Sequence, residues 1–153
     1  DKAAALQSLH ARRPEVGAAV AALACQSLAA VLEACRVGRL TRSQHVLFRL
    51  GELIAAVECA ETFARRAAAT LDGERYEKTP TRFSPEVWAT MARVFAREAA
   101  QKVALDGPRY VVGSADPPGI SLAIAAEAVA AAQAGLFADM DLVADALYGR
   151  TDG

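Results

Sequence analysis

Two glutamates stand where a helix pattern calls for apolar residues. Glu61 falls inside the stripe formed by Leu50, Ile54, Val57, Ala64 and Ala68, positions that meet on one side of a helix. Glu98 and Lys102 share the side marked by Val87, Met91, Val94, Phe95 and Leu105. Each carboxylate has a cation four residues on, Arg65 for Glu61 and Lys102 for Glu98, in the favourable acid-before-base orientation. At a helix seam, stranding one charge costs about 3–5 kcal/mol. Glu61, Arg65, Glu98 and Lys102 are therefore expected to form structural ion pairs. The sequence leaves open whether Glu61 pairs with Arg65 or reaches Lys102 across a bundle. A general acid would need a second titrating partner and a pocket, and neither is visible.

The other reactive residue types are as sparse. His10 and His45 are the only histidines, and neither belongs to a Glu-x-x-His motif, which disfavours a di-iron bundle site. His45 invites comparison with the phosphotransfer histidine of a four-helix bundle. Val46, Leu47, Phe48 and Arg49 follow it, however, instead of the lysine and small residue such domains carry. No glycine-rich phosphate cradle is present, and no serine sits in a nucleophile elbow. Cys25, Cys35 and Cys59 lack Cys-x-x-Cys spacing. They read as packed, reduced thiols of a cytoplasmic or similarly reducing compartment. No catalytic, metal-binding or cofactor-binding residue is assigned.

The elements that must position these residues are helices. Of 153 residues, 37 are alanine, which favours helix and close helix–helix approach, and alternating strand patterns are missing. A short helix over 2–12 precedes a long one over 14–37, opened by Pro14 and closed by Gly38. Thr41 and Gln44 form a candidate capping box for a second long helix that ends at Asp72-Gly73. After a polar loop at 72–83, Ser84-Pro85-Glu86 opens a third, stopped near Leu105 by Asp106-Gly107-Pro108. Tyr110-Val111-Val112 is expected to lie extended within an irregular connection, before a fourth helix at 119–135 and a short last one at 139–147. The fold class is all-α, a single domain over 1–153 built as an antiparallel bundle of four long helices and one or two short ones. The opening DKAAALQSLHARR, already in helical rhythm and without methionine, reads as a piece of a longer polypeptide.

The second long helix is apolar on two sides. Phe48, Ala55, Cys59 and Phe63 lie opposite Leu50 and Val57. Leu50, Ile54 and Val57 are expected to hold the bundle, and Phe48, Cys59 and Phe63 to form a docking face for another body. A formal charge of −1 gives no electrostatic reason to expect nucleic acid or an anionic membrane as partner. The longest apolar run, VGAAVAALAC, is too short to span a bilayer.

HVLFRLGELIAAVECAETFARRAAATL, then FSPEVWATMARVFAREAAQKVALDG, resembles the extra C-terminal helical domain of very-long-chain-type acyl-CoA dehydrogenases. The likeness rests on Arg49-Leu50-x-Glu52 entering an alanine-rich helix, Arg65-Arg66-Ala67 near its end, and Trp88 with Arg97-Glu98-Ala99 in the next helix. It covers residues 40–107. The resemblance implies that FAD and the catalytic glutamate belong to a preceding catalytic portion, since neither the flavin-binding sequences nor the catalytic region has a counterpart here. It further implies an accessory domain that packs on the catalytic portion of its own polypeptide, within a homo-oligomer. A membrane-facing role would want a strongly basic amphipathic segment, which the chain lacks. The alternative is a free-standing interaction bundle, with His45 phosphotransfer as its chemically specific version.

Overall fold

The computed structural model describes residues 1–74, 82–113 and 125–150. Among these, every regular element is helical: α1 (Lys2–Arg12), α2 (Ala18–Val37), α3 (Gln44–Leu71), α4 (Pro85–Val112), α5 (Ala126–Ala132) and α6 (Leu136–Tyr148). Single 3₁₀ turns at Pro14–Val16 and Leu40–Arg42 join α1 to α2 and α2 to α3. Three helices are long. The helix expected over 119–135 falls partly on 114–124, outside the described residues, and α5 is its described part. Residues 75–81 of the expected loop are likewise outside.

Several boundaries differ from the sequence reading, each for a physical reason. Pro14 opens only a 3₁₀ turn, because Gly17 adopts a left-handed φ of +74° and restarts the chain as α2. A Cβ there would lie 2.9 Å from the Arg93 Cα, so glycine is what lets the start of α2 abut α4. The Thr41–Gln44 capping box does not form: Thr41 lies within the second 3₁₀ turn, and Gln44 is the first residue of α3, which begins after Ser43. Ser84 does cap α4, its Oγ accepting from the Val87 N–H at 3.4 Å. The largest departure is at Asp106-Gly107-Pro108, where α4 continues to Val112 with Pro108 inside it. An interior proline costs about 3 kcal/mol. Burial on both sides of it opposes that cost. Val111 is sealed in the core, and Gly107 packs so closely on Val31 that a Cβ would come within 2.4 Å of Val31 Cγ2. Tyr110-Val111-Val112 is accordingly helical. The last helix begins at Leu136, earlier than expected, because left-handed Gly135 starts it.

Two core clusters mark the two ends. At one, Ala21 and Ala22 of early α2 meet Ala64 and Ala67 of late α3 and Ala92 and Ala96 of early α4. At the other, Val31 and Cys35 meet Leu50 and Leu53, then Val103 and Val111. α3 therefore runs opposite to both α2 and α4. The inward side of α4 is its alanine stripe, Ala89, Ala92, Ala96, Ala99 and Ala100, while Phe95 and Leu105 are exposed. Val87 is buried as the sequence suggested, but the assignment of Phe95 and Leu105 to the buried side is overturned. In an alanine-rich bundle the small residues mark the seam, because close backbone approach leaves no room for large ones. α2 is long and apolar enough to cross a membrane by length and composition; here it packs against α1, α3 and α4.

Candidate docking surface

Glu61 is where the stripe put it, on the inner side of α3 and buried. Its Oε1 accepts from Arg65 Nε at 3.1 Å, and its Oε2 lies 3.1 Å from Lys2 Nζ. Lys2 also pairs with Glu58. Burial alone would push the Glu61 carboxyl up, but Lys2 and Arg65 outweigh it and hold the group below the usual glutamate range. Glu61 is thus an anion at neutral pH and has no proton to donate. Its second cation comes from α1, which nothing in the local spacing signalled. Lys102 does not reach it; Lys102 pairs with Asp106 at 3.1 Å. The expected Glu98–Lys102 pair is therefore not formed. Glu98 lies on the exposed side of α4, because α4 is turned to bury its alanines.

A second ionic centre escaped the sequence reading altogether. Asp139 of α6 sits between Arg93 and Arg97 of α4, at 2.5 Å from each. Arg93 also donates to the Glu15 carbonyl at 2.7 Å, and Arg97 donates to the Ala132 and Ala134 carbonyls at 2.8 and 2.9 Å. The Arg93 hydrogen bond, with help from Arg97 and against the effect of burial, holds the Asp139 carboxyl below its ordinary range. Arg82 donates to the Leu147 carbonyl near the other end of α6. α6 buries no residue fully, so these charged contacts are its main anchors.

On the outer side of α3 the expected docking residues separate. Phe48 is 71% exposed, and Cys59 is exposed with it. Between them lie Gly51, whose missing side chain would meet nothing within 4 Å, and the exposed Ala55. Phe63 does not belong to this free surface. Its ring packs against Trp88 and Phe95 with centroids 5.9 and 6.2 Å apart, so it serves the α3–α4 seam of the chain itself. Ile54 is also corrected: it is exposed, and Leu53 takes its place in the core between Leu50 and Val57. Spacing of i, i+3, i+7 describes the buried stripe better than i, i+4, i+7.

The three thiols differ. Cys35 is buried, Cys25 half-buried and Cys59 exposed, which corrects the expectation that all three are packed. Burial raises the thiols of Cys35 and Cys25. His45 is exposed in the first turn of α3 and His10 is half-buried. Among the described residues no three histidine, cysteine or acidic side chains gather as metal ligands would. Compared with protein-family models, curated protein sequences and solved structures, the chain matches none.

Proposed function

We propose that this chain is a non-catalytic assembly domain whose outer α3 face seats against a larger body. Following the sequence resemblance, that body is the catalytic portion of a flavin-dependent acyl-CoA dehydrogenase, its own polypeptide, in a reducing compartment and a homo-oligomer. FAD and the chemistry belong to that portion. The same reading takes the helices as an antiparallel bundle of four long members.

One observation carries the docking part. An interior helix glycine costs about 1 kcal/mol relative to alanine, and nothing within the described chain requires one at Gly51, which faces open space. Beside it Phe48 leaves most of its ring in water. A bare stretch next to an aromatic anchor is what a second helix needs for close approach and a buried contact. The engagement of Glu61 by both Arg65 and Lys2 supports a structural role for that carboxylate.

The test is a calorimetric titration of this chain into the separately expressed flavoprotein portion. Phe48→Asp should weaken binding at least about tenfold, the effect of losing ~1.4 kcal/mol, with thermal stability unchanged. Equal affinity of the two forms would refute the assignment.

A further inference from the structure

The last turn of α4 is built against its own sequence. Pro108 stands inside the helix, with no N–H to give the Ala104 carbonyl and a ring that crowds it. Such a proline disfavours the helix by roughly a hundredfold in equilibrium. Few contacts oppose this. Of residues 109–113 only Val111 is buried, at 1% exposed, and Tyr110 packs half-buried against the same cluster. Val112 is 65% exposed. Arg109 meets Asp106 at 3.4 Å, but its side chain is 78% exposed, and such pairs contribute little. Burying one valine side chain favours the closed turn by roughly ten- to a hundredfold. The two opposing effects are therefore of one order, and the turn is held by a narrow margin.

Val111 covers a thiol. α2 and α4 run in the same direction, since α3 opposes both, and Val31 of α2 lies against Gly107 of α4. One turn further along each helix come Cys35 and Val111, both sealed in a single cluster. Cys35 is 0% exposed, and burial raises its thiol. On its other side are Leu50 and Leu53 of α3, which belong to a long helix without a break. Gly107 is itself buried against Val31, so freedom to unwind begins only after it.

We propose that the turn from Pro108 to Val112 is a flap over Cys35, which unwinds after Gly107 while the rest of the bundle stays folded. Closed, the flap keeps the thiol dry and protonated, the form that does not react. Open, it lets water and small reagents reach the sulfur, whose reactivity returns toward that of an ordinary cysteine. The device uses none of Phe48, Gly51 or Cys59, so it stands apart from the docking role of the outer α3 face.

Cys35 itself reports the opening. Its alkylation by excess iodoacetamide is followed by mass spectrometry through a series of low urea concentrations, with circular dichroism to check that each variant folds. In the unsubstituted chain the Cys35 rate should stay flat in low urea and turn steep only near the unfolding transition, because a single turn exposes little surface. Pro108→Ala restores the missing N–H and should slow Cys35 by about ten- to a hundredfold in the flat region. Val111→Ala trims the cover and should speed it by about tenfold. Half-buried Cys25 should react alike in all three chains. The proposal is overturned if Cys35 follows the urea dependence of global unfolding from the lowest concentration, or if either substitution leaves its rate unchanged.

Discussion

Asp139→Asn is the sharpest local perturbation the structure offers. The carboxylate lies between two guanidinium groups, with side-chain exposures of 14% for Asp139, 25% for Arg93 and 12% for Arg97. Breaking a fully buried pair costs about 3–5 kcal/mol. Here the groups are partly wet, and both arginines keep other acceptors: the Glu15 carbonyl and Thr90 Oγ1 for Arg93, the Ala132 and Ala134 carbonyls for Arg97. Solvent screening and these remaining bonds reduce the cost to about 1.4–3 kcal/mol. Because α6 has no fully buried residue, that loss should appear as local opening of α6 rather than global unfolding. Amide hydrogen exchange across 136–148 should speed up by about ten- to a hundredfold, while amides of α2 and central α3 keep their protection. Unchanged exchange in α6 would refute the idea that charge anchors this helix. An equal acceleration in α2 would show that α6 is instead part of one cooperative unit with the core.

The remaining predictions concern packing, charge and the open face. Gly107→Ala forces a Cβ into Val31 and should lower stability in urea by about 1–3 kcal/mol, the usual range for overpacking. Gly51→Ala meets open space and should stabilise the isolated chain by about 0.5–1 kcal/mol, seen as a raised denaturation midpoint, while weakening attachment to the proposed partner. Glu61 and Asp139 both titrate below their ordinary values when folded. Their contribution is therefore complete above the unfolded carboxylate range, near pH 4, and lost as pH falls through the folded values. Chemical denaturation should give a flat stability from neutral pH down to about 5 and a decline below, smaller in Glu61→Gln; a decline beginning near neutral pH would contradict this.

The class of the fold was legible because alanine content and helical spacing agree over most of the chain. Leu50, Val57, Ala64 and Ala68 were placed correctly around Glu61, since one long uninterrupted helix carries its own phase. Other features depended on contacts between distant segments. Lys2 reaches Glu61 from another helix, and Asp139 finds Arg93 and Arg97 across more than forty residues of sequence. The run of α4 through Pro108 is decided by burial of Val111, which outweighs a strong local stop signal. Part of the face of α4 was misread for a related reason: Phe95 and Leu105 were taken as core, whereas close approach of α2 gives much of the α4 seam to alanine, with Val87, Val103 and Val111 buried beside it. Phe63 was misassigned because spacing along α3 cannot reveal that Trp88 and Phe95 cover it.

The outer face of α3 can be probed most directly through Cys59, which is exposed on it, with half-buried Cys25 and buried Cys35 as internal references. Alkylation rates of the three thiols should be followed by mass spectrometry with and without the proposed flavoprotein partner, expressed separately. If that face is the seat, Cys59 is protected when the partner is bound and the two reference thiols react as before. Binding that leaves the Cys59 rate unchanged would place the partner elsewhere and contradict the account.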